Sequence, residues 1–221
     1  LRQFGISQSV FEKAFANEEQ EVEDIKINVL QKNYEILEEG LRKNKPIVLV
    51  ASHPYHIDHL IHQQVSQMLT DFGVHVINEE IATSLDVEQE GFDKFFAIAQ
   101  WEYPNRVLQS AYWASIQKED IGFIQLNSFG CGPDSFIMDE ISDQMKVSGK
   151  SYCLLRIDEI ASPGSVKLRL RSLVVSLKLR NQPKDETSEI PKRNNNAIFR
   201  EEDKDRDILV PWFADIYSPF I

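Results

Sequence analysis

Five consecutive apolar residues, Ile47-Val48-Leu49-Val50-Ala51, lead straight into the polar and aromatic stretch Ser52-His53-Pro54-Tyr55-His56-Ile57-Asp58. An unbroken run rich in β-branched side chains suits a strand covered on both faces, the usual situation in a parallel sheet. Leu60, Ile61, Val65, Met68, Leu69 and Phe72 then recur at helical spacing up to Gly73, and Val74 to Ile77 open a second strand. Strand, loop, helix and strand make a βαβ unit. In open α/β sheets ligands sit beyond the carboxyl ends of the strands, so the loop Ser52–Asp58 is the first place to look for function.

The same alternation continues. Ile121 to Leu126 reads as a third strand and Tyr152 to Ile157 as a fourth, the latter expected to be central. Between and after them, Pro104, Pro133 and Ser162-Pro163 suit helix starts. The inner faces are expected at Val107, Leu108, Ala111 and Ile116, then Phe136, Ile137, Ile141 and Met145, then Val166, Leu170, Leu173, Val174 and Leu177. Upstream, Leu30, Tyr34, Leu37 and Leu41 form a stripe within a charged helical stretch of one or two helices. The expected fold is α/β: a Rossmann-like three-layer α/β/α sandwich, with a mostly parallel sheet of about four strands and an N-terminal helical extension. Residues 1–45 are read as the helical segment packed on the core and 46–180 as the α/β domain. Residues 181–207, polar and carrying three consecutive asparagines, read as a mobile loop or linker, and 208–221 as a terminal strand-like segment, either a last strand of this sheet or the first strand of a further domain.

Composition narrows the function. The net charge of -11, from 24 Lys+Arg against 35 Asp+Glu, lacks the positive footprint of a nucleic-acid or anionic-membrane binder. No apolar run approaches the roughly 20 residues of a membrane span, and no signal peptide is visible. The 2 cysteines make no disulfide framework, which points to a reducing, cytoplasmic setting. The chain begins with Leu1, as a segment of a longer polypeptide would.

Three strand ends carry the chemistry-bearing residues, and a parallel sheet brings them to one edge. The first offers His53, Tyr55, His56 and Asp58, with Asp58 well placed as a helix N-cap. The second offers Gly130-Cys131-Gly132-Pro133, a thiol between glycines before a helix N-terminus, where partial positive charge favours a thiolate. Cys131 reads as a metal–sulfur ligand, a reactive cysteine, or a small residue in a tight turn. The third offers Asp158 and Glu159. No Walker loop or GxGxxG is present.

Several of these stretches resemble one family. Pro54-Tyr55-His56-Ile57-Asp58, Trp101-Glu102-Tyr103-Pro104-Asn105-Arg106, Gln125 to Gly132, Ile157-Asp158-Glu159 with Arg169 and Arg171, and Ile208 to Phe220 are similar to motifs of the large activators of 2-hydroxyacyl-CoA (2-hydroxyglutaryl-CoA) dehydratases, in their CoA-enzyme-activase domain. That family's Gly-Arg pair is replaced here by Ser52-His53. The resemblance implies actin-like ATPase domains elsewhere in the polypeptide, a dehydratase as partner, and a setting in anaerobic metabolism. It also implies a [4Fe-4S] cluster in the full-length protein, with Cys131 as a single ligand and no cofactor in this segment alone. The expected function is a module serving low-potential electron transfer, by docking partners or by completing an iron–sulfur site. Two alternatives stand beside it: a CoA-ligand-binding enzyme domain using His56, Asp58 and Glu159 as acid and base, and a structural spacer.

Overall fold

The structure, a computed structural model, describes residues 2–58, 60–84, 101–128, 130–157 and 162–180. The segments 181–207 and 208–221, and residues Asp158 and Glu159, lie outside these.

Ile47–Ala51 is strand β1 and is buried along its whole length. Its side chains alternate between two separate cores, as the pleat of a strand requires. Ile47, Leu49 and Ala51 enter one core, with Ile121 and Phe123 of the third strand. Val48 and Val50 enter the other, with Ile124 and Leu126. A strand that must satisfy two apolar layers cannot alternate with polar residues, and this is why it reads as an unbroken run. β2 (His75–Asn78), β3 (Ile121–Ser128) and β4 (Tyr152–Ile157) complete a sheet ordered β2-β1-β3-β4, every described pair parallel. The fold is therefore a Rossmann-like α/β sandwich.

The helices decide where a site can form. α2 (Val65–Asp71) connects β1 to β2 over the second core. α3 (Glu102–Ile116) and α4 (Gly132–Val147) lie over the first core and carry the chain back past β1 to β3 and on to β4. α5 (Pro163–Arg180) returns to the second core. The chain leaves β1 in one direction and β3 in the other, so a topological switch point opens between their carboxyl ends.

Four sequence expectations are corrected. β4 is an edge strand among the described strands, not a central one. Its burial is patchy, with Arg156 exposed, and that arginine was the signal. α1 (Gln8–Arg42) is one continuous helix; of the expected stripe, Leu37 packs on the first core beside Ile36 and Leu30 is half-buried, whereas Tyr34 and Leu41 face solvent and the fully buried residues are Asn33 and Gly40. Two specific contacts set this face. Asn33 Nδ2 donates to Asn78 Oδ1 at 2.6 Å, and Asn78 N donates back to Asn33 Oδ1 at 2.9 Å. Gly40 lets the helix approach so closely that a Cβ there would stand 2.7 Å from Ile47 Cγ1. Third, α2 begins only at Val65, after Gln63 and Gln64 at positive φ, leaving Leu60 and Ile61 exposed. Fourth, Ile116 and Phe136 are exposed, whereas all five residues expected on the inner face of α5 are buried.

β3 meets α5 at Gly122, where a Cβ would lie 2.7 Å from Leu177 Cδ1 and 3.2 Å from Val48 Cγ2. Gly122→Ala is expected to destabilise the chain by about 1–3 kcal/mol through overpacking, and Leu177→Ala by about 2–5 kcal/mol through a cavity. Because each change relieves the other, the double variant should lose less than the sum in denaturant unfolding.

Candidate functional site at the switch point

β1 runs directly into a 3-10 turn, Pro54–Ile57, whose entry the proline ring sets. Two hydrogen bonds close the turn: His56 N donates to His53 O at 2.9 Å, and His53 N donates to His56 Nδ1 at 3.2 Å. A backbone amide only donates, so Nδ1 of His56 is the acceptor and its ring proton sits on Nε2. Nε2 then donates to Ser128 Oγ at 3.2 Å, tying the end of β1 to the end of β3. Burial, followed by the neighbouring His53, pushes the His56 pKa down to about 4, so the ring works as a neutral strut.

After β3, Gly130 turns the chain at φ +81°, a conformation that glycine adopts without strain. Cys131 is the N-cap residue of α4, and Asp134 stands in the first helical turn with 1% of its surface exposed. Asp134 Oδ1 accepts a hydrogen bond from His53 Nε2 at 2.6 Å. The donor atoms of His53, Cys131 and Asp134 all lie within 4.8 Å of one another. His53 also stacks on Tyr55, with ring centroids 5.3 Å apart, and tilts against Tyr103 at 5.9 Å.

Two of the three strand ends named from sequence thus meet, bringing His53, Tyr55, His56, Gly130, Cys131 and Gly132 into one neighbourhood. Asp58 stands at the carboxyl end of the same turn. It is exposed, and its Oδ1 accepts from Leu60 N at 2.8 Å and Ile61 N at 3.4 Å, holding a local turn. The expected thiolate is also corrected. Burial and the Asp134 carboxylate outweigh the helix-end amide and push the Cys131 thiol up. Both Cys131 and Cys153 are half-buried.

Asp134 and Glu79 were missed in the sequence. Asp134 sits one helical turn after Cys131, a spacing that passed as ordinary helix. Glu79 follows the carboxyl end of β2, so the strand-end rule applied to it equally. It is buried beside a cleft of about 560 Å³ lined also by Val50, Ser52, His56, Asn78 and Leu126. Burial raises its pKa to about 7, against the opposing pull of backbone hydrogen bonds from its own amide and Ser52 and of Arg106; Glu80 adds to the rise.

A carboxyl whose folded pKa is raised binds more protons folded than unfolded, so its contribution is lost as pH rises from about 4.5 to about 7. Glu79→Gln is therefore expected to gain stability relative to the parent as pH rises across that window. Chemical denaturation at pH 4.5 and pH 7.5 checks this; an equal difference at both would show that Glu79 ionises freely.

Residues 1–81 match the model of a family described as a CoA enzyme activase uncharacterised domain. No curated protein and no solved structure matches the chain. No helix among the described residues is long and apolar enough to cross a membrane. The matched segment runs through α1, β1, the His53–His56 turn and β2 as far as Glu79 and just beyond, so the His53–His56 side of the switch point falls within the segment similar to that family's model and the Cys131–Asp134 side does not.

Proposed function

We propose that the chain is a module of a CoA enzyme activator-related protein, and that its switch point is where a partner docks during ATP-driven, low-potential electron transfer to a 2-hydroxyacyl-CoA dehydratase. One observation carries the docking half of this reading. Tyr55 and Tyr103, 45% and 42% exposed, flank His53 at the mouth of the site. Exposed aromatic side chains held by a rigid floor are the residues that dominate protein interfaces. The family match over residues 1–81 supports the activator half.

A [4Fe-4S] cluster takes four thiolates as a rule. This chain has 2 cysteines, and Cys153 lies on β4 packed against the second core, away from Cys131 at the switch point. These residues do not fit a cluster held by this chain, and Cys131 offers one ligand at most to a cluster completed elsewhere. The acid–base alternative is weakened too, because both ring nitrogens of His56 are engaged and Asp58 holds a turn.

The test is kinetic. Full-length activator carrying Tyr55→Ala with Tyr103→Ala is expected to reduce its dehydratase, with ATP and a low-potential reductant, on the order of tenfold more slowly at sub-saturating dehydratase, equivalent to about 1.4 kcal/mol of docking energy. ATP hydrolysis without dehydratase should not change. Equal reduction rates for variant and parent at every dehydratase concentration would remove the docking reading.

A further inference from the structure

We propose that His53, Cys131 and Asp134 form a binding site for one divalent transition-metal ion of the zinc class, ligated by Nε2, Sγ and a carboxylate oxygen. The three donors come from two segments far apart in sequence, the loop after β1 and the start of α4, and the fold gathers them within 4.8 Å at the switch point. His53 and Asp134 are both more than nine-tenths buried. Asp134 Oδ2 is buried with no hydrogen-bond partner among the described residues. A buried carboxylate oxygen left unpaired is costly, and an ion is one of the few things that resolves it.

The donor chemistry selects the ion. Thiolate, imidazole and carboxylate together suit zinc, and three protein ligands leave a fourth position open to water or another ligand. Convergence of the donors on one point suits a single ion rather than a cubane, whose irons each need a separate ligand. Tetrahedral donors around zinc stand roughly 3.3–3.8 Å apart, given metal–ligand bonds of about 2.0–2.3 Å. The His53–Asp134 contact of 2.6 Å therefore opens by about 1 Å to admit the ion, while the thiol closes in. On binding, the Nε2 proton of His53 passes to Nδ1 by tautomer exchange and the thiol proton leaves to solvent. The surroundings already orient the imidazole: Tyr55 stacks on the ring, and the His53 amide is held by His56 Nδ1, itself braced on Ser128.

The site is read on the 221-residue chain with no dehydratase present, so it stands or falls separately from the docking reading. Cobalt(II) is titrated into reduced protein under anaerobic conditions. The expected result is one ion per chain, a near-ultraviolet thiolate-to-cobalt charge-transfer band and the intense visible bands of four-coordination, all reversed by zinc. Cys131→Ser should abolish the charge-transfer band, and the near-isosteric Asp134→Asn and His53→Gln should each weaken zinc on the order of 100-fold. Cys153→Ser should leave the titration unchanged. Circular dichroism confirms that each variant is folded. The proposal is overturned by no thiolate band in folded parent protein, by a band that survives Cys131→Ser, or by acid-labile sulfide accompanying iron in the isolated chain.

Discussion

Burial of β1 on both faces, together with parallel pairing on both edges, is the constraint from which the rest follows. Val48 pairs in register with Val76 on one side and Gly122 on the other. A strand so enclosed has no exposed backbone except at its ends, so the chain must emerge at Ser52 directly above the sheet edge. Helices must then cover both faces, and their alternation sets the direction of each crossover. The reversal of that direction between β1 and β3 is what brings His53 and His56 against Ser128, Cys131 and Asp134.

Much of this architecture was legible because it depends on apolar periodicity. The inner face of α5 could be read directly from Val166, Leu170, Leu173, Val174 and Leu177. What escaped was set by single polar or small residues. Asn33 and Gly40 take the buried places of α1 beside Ile36 and Leu37 and leave Tyr34 and Leu41 outside, since an amide pair and a missing Cβ weigh more at that contact than two extra apolar side chains. The site was legible as strand ends but not as partners. Sequence spacing ties Cys131 to Asp134, but only the order of the strands puts His53 beside them.

Two ionisable groups near the cleft are displaced in opposite directions by the same cause. Desolvation disfavours the charged form of each, lowering the pKa of His56 and raising that of Glu79. The rim of the cleft is therefore less charged near neutrality than its residue types suggest. Within so acidic a chain, that leaves a comparatively neutral patch at the sheet edge, where an anionic group meets less repulsion than elsewhere.

α1 has a mechanical consequence. Residues 8–28 are exposed throughout, while among the described residues the helix is clasped nearer its carboxyl end, through Asn33 and Gly40. At 1.5 Å per residue the exposed part is about 30 Å long, so it acts as a lever. A tilt of about 10° at the clasp swings its tip by roughly 5 Å, and anything gripping Phe11 or Phe15 would apply torque through Asn33 to Asn78. Glu79 is the next residue, so force on the far end of the helix arrives at the wall of the cleft.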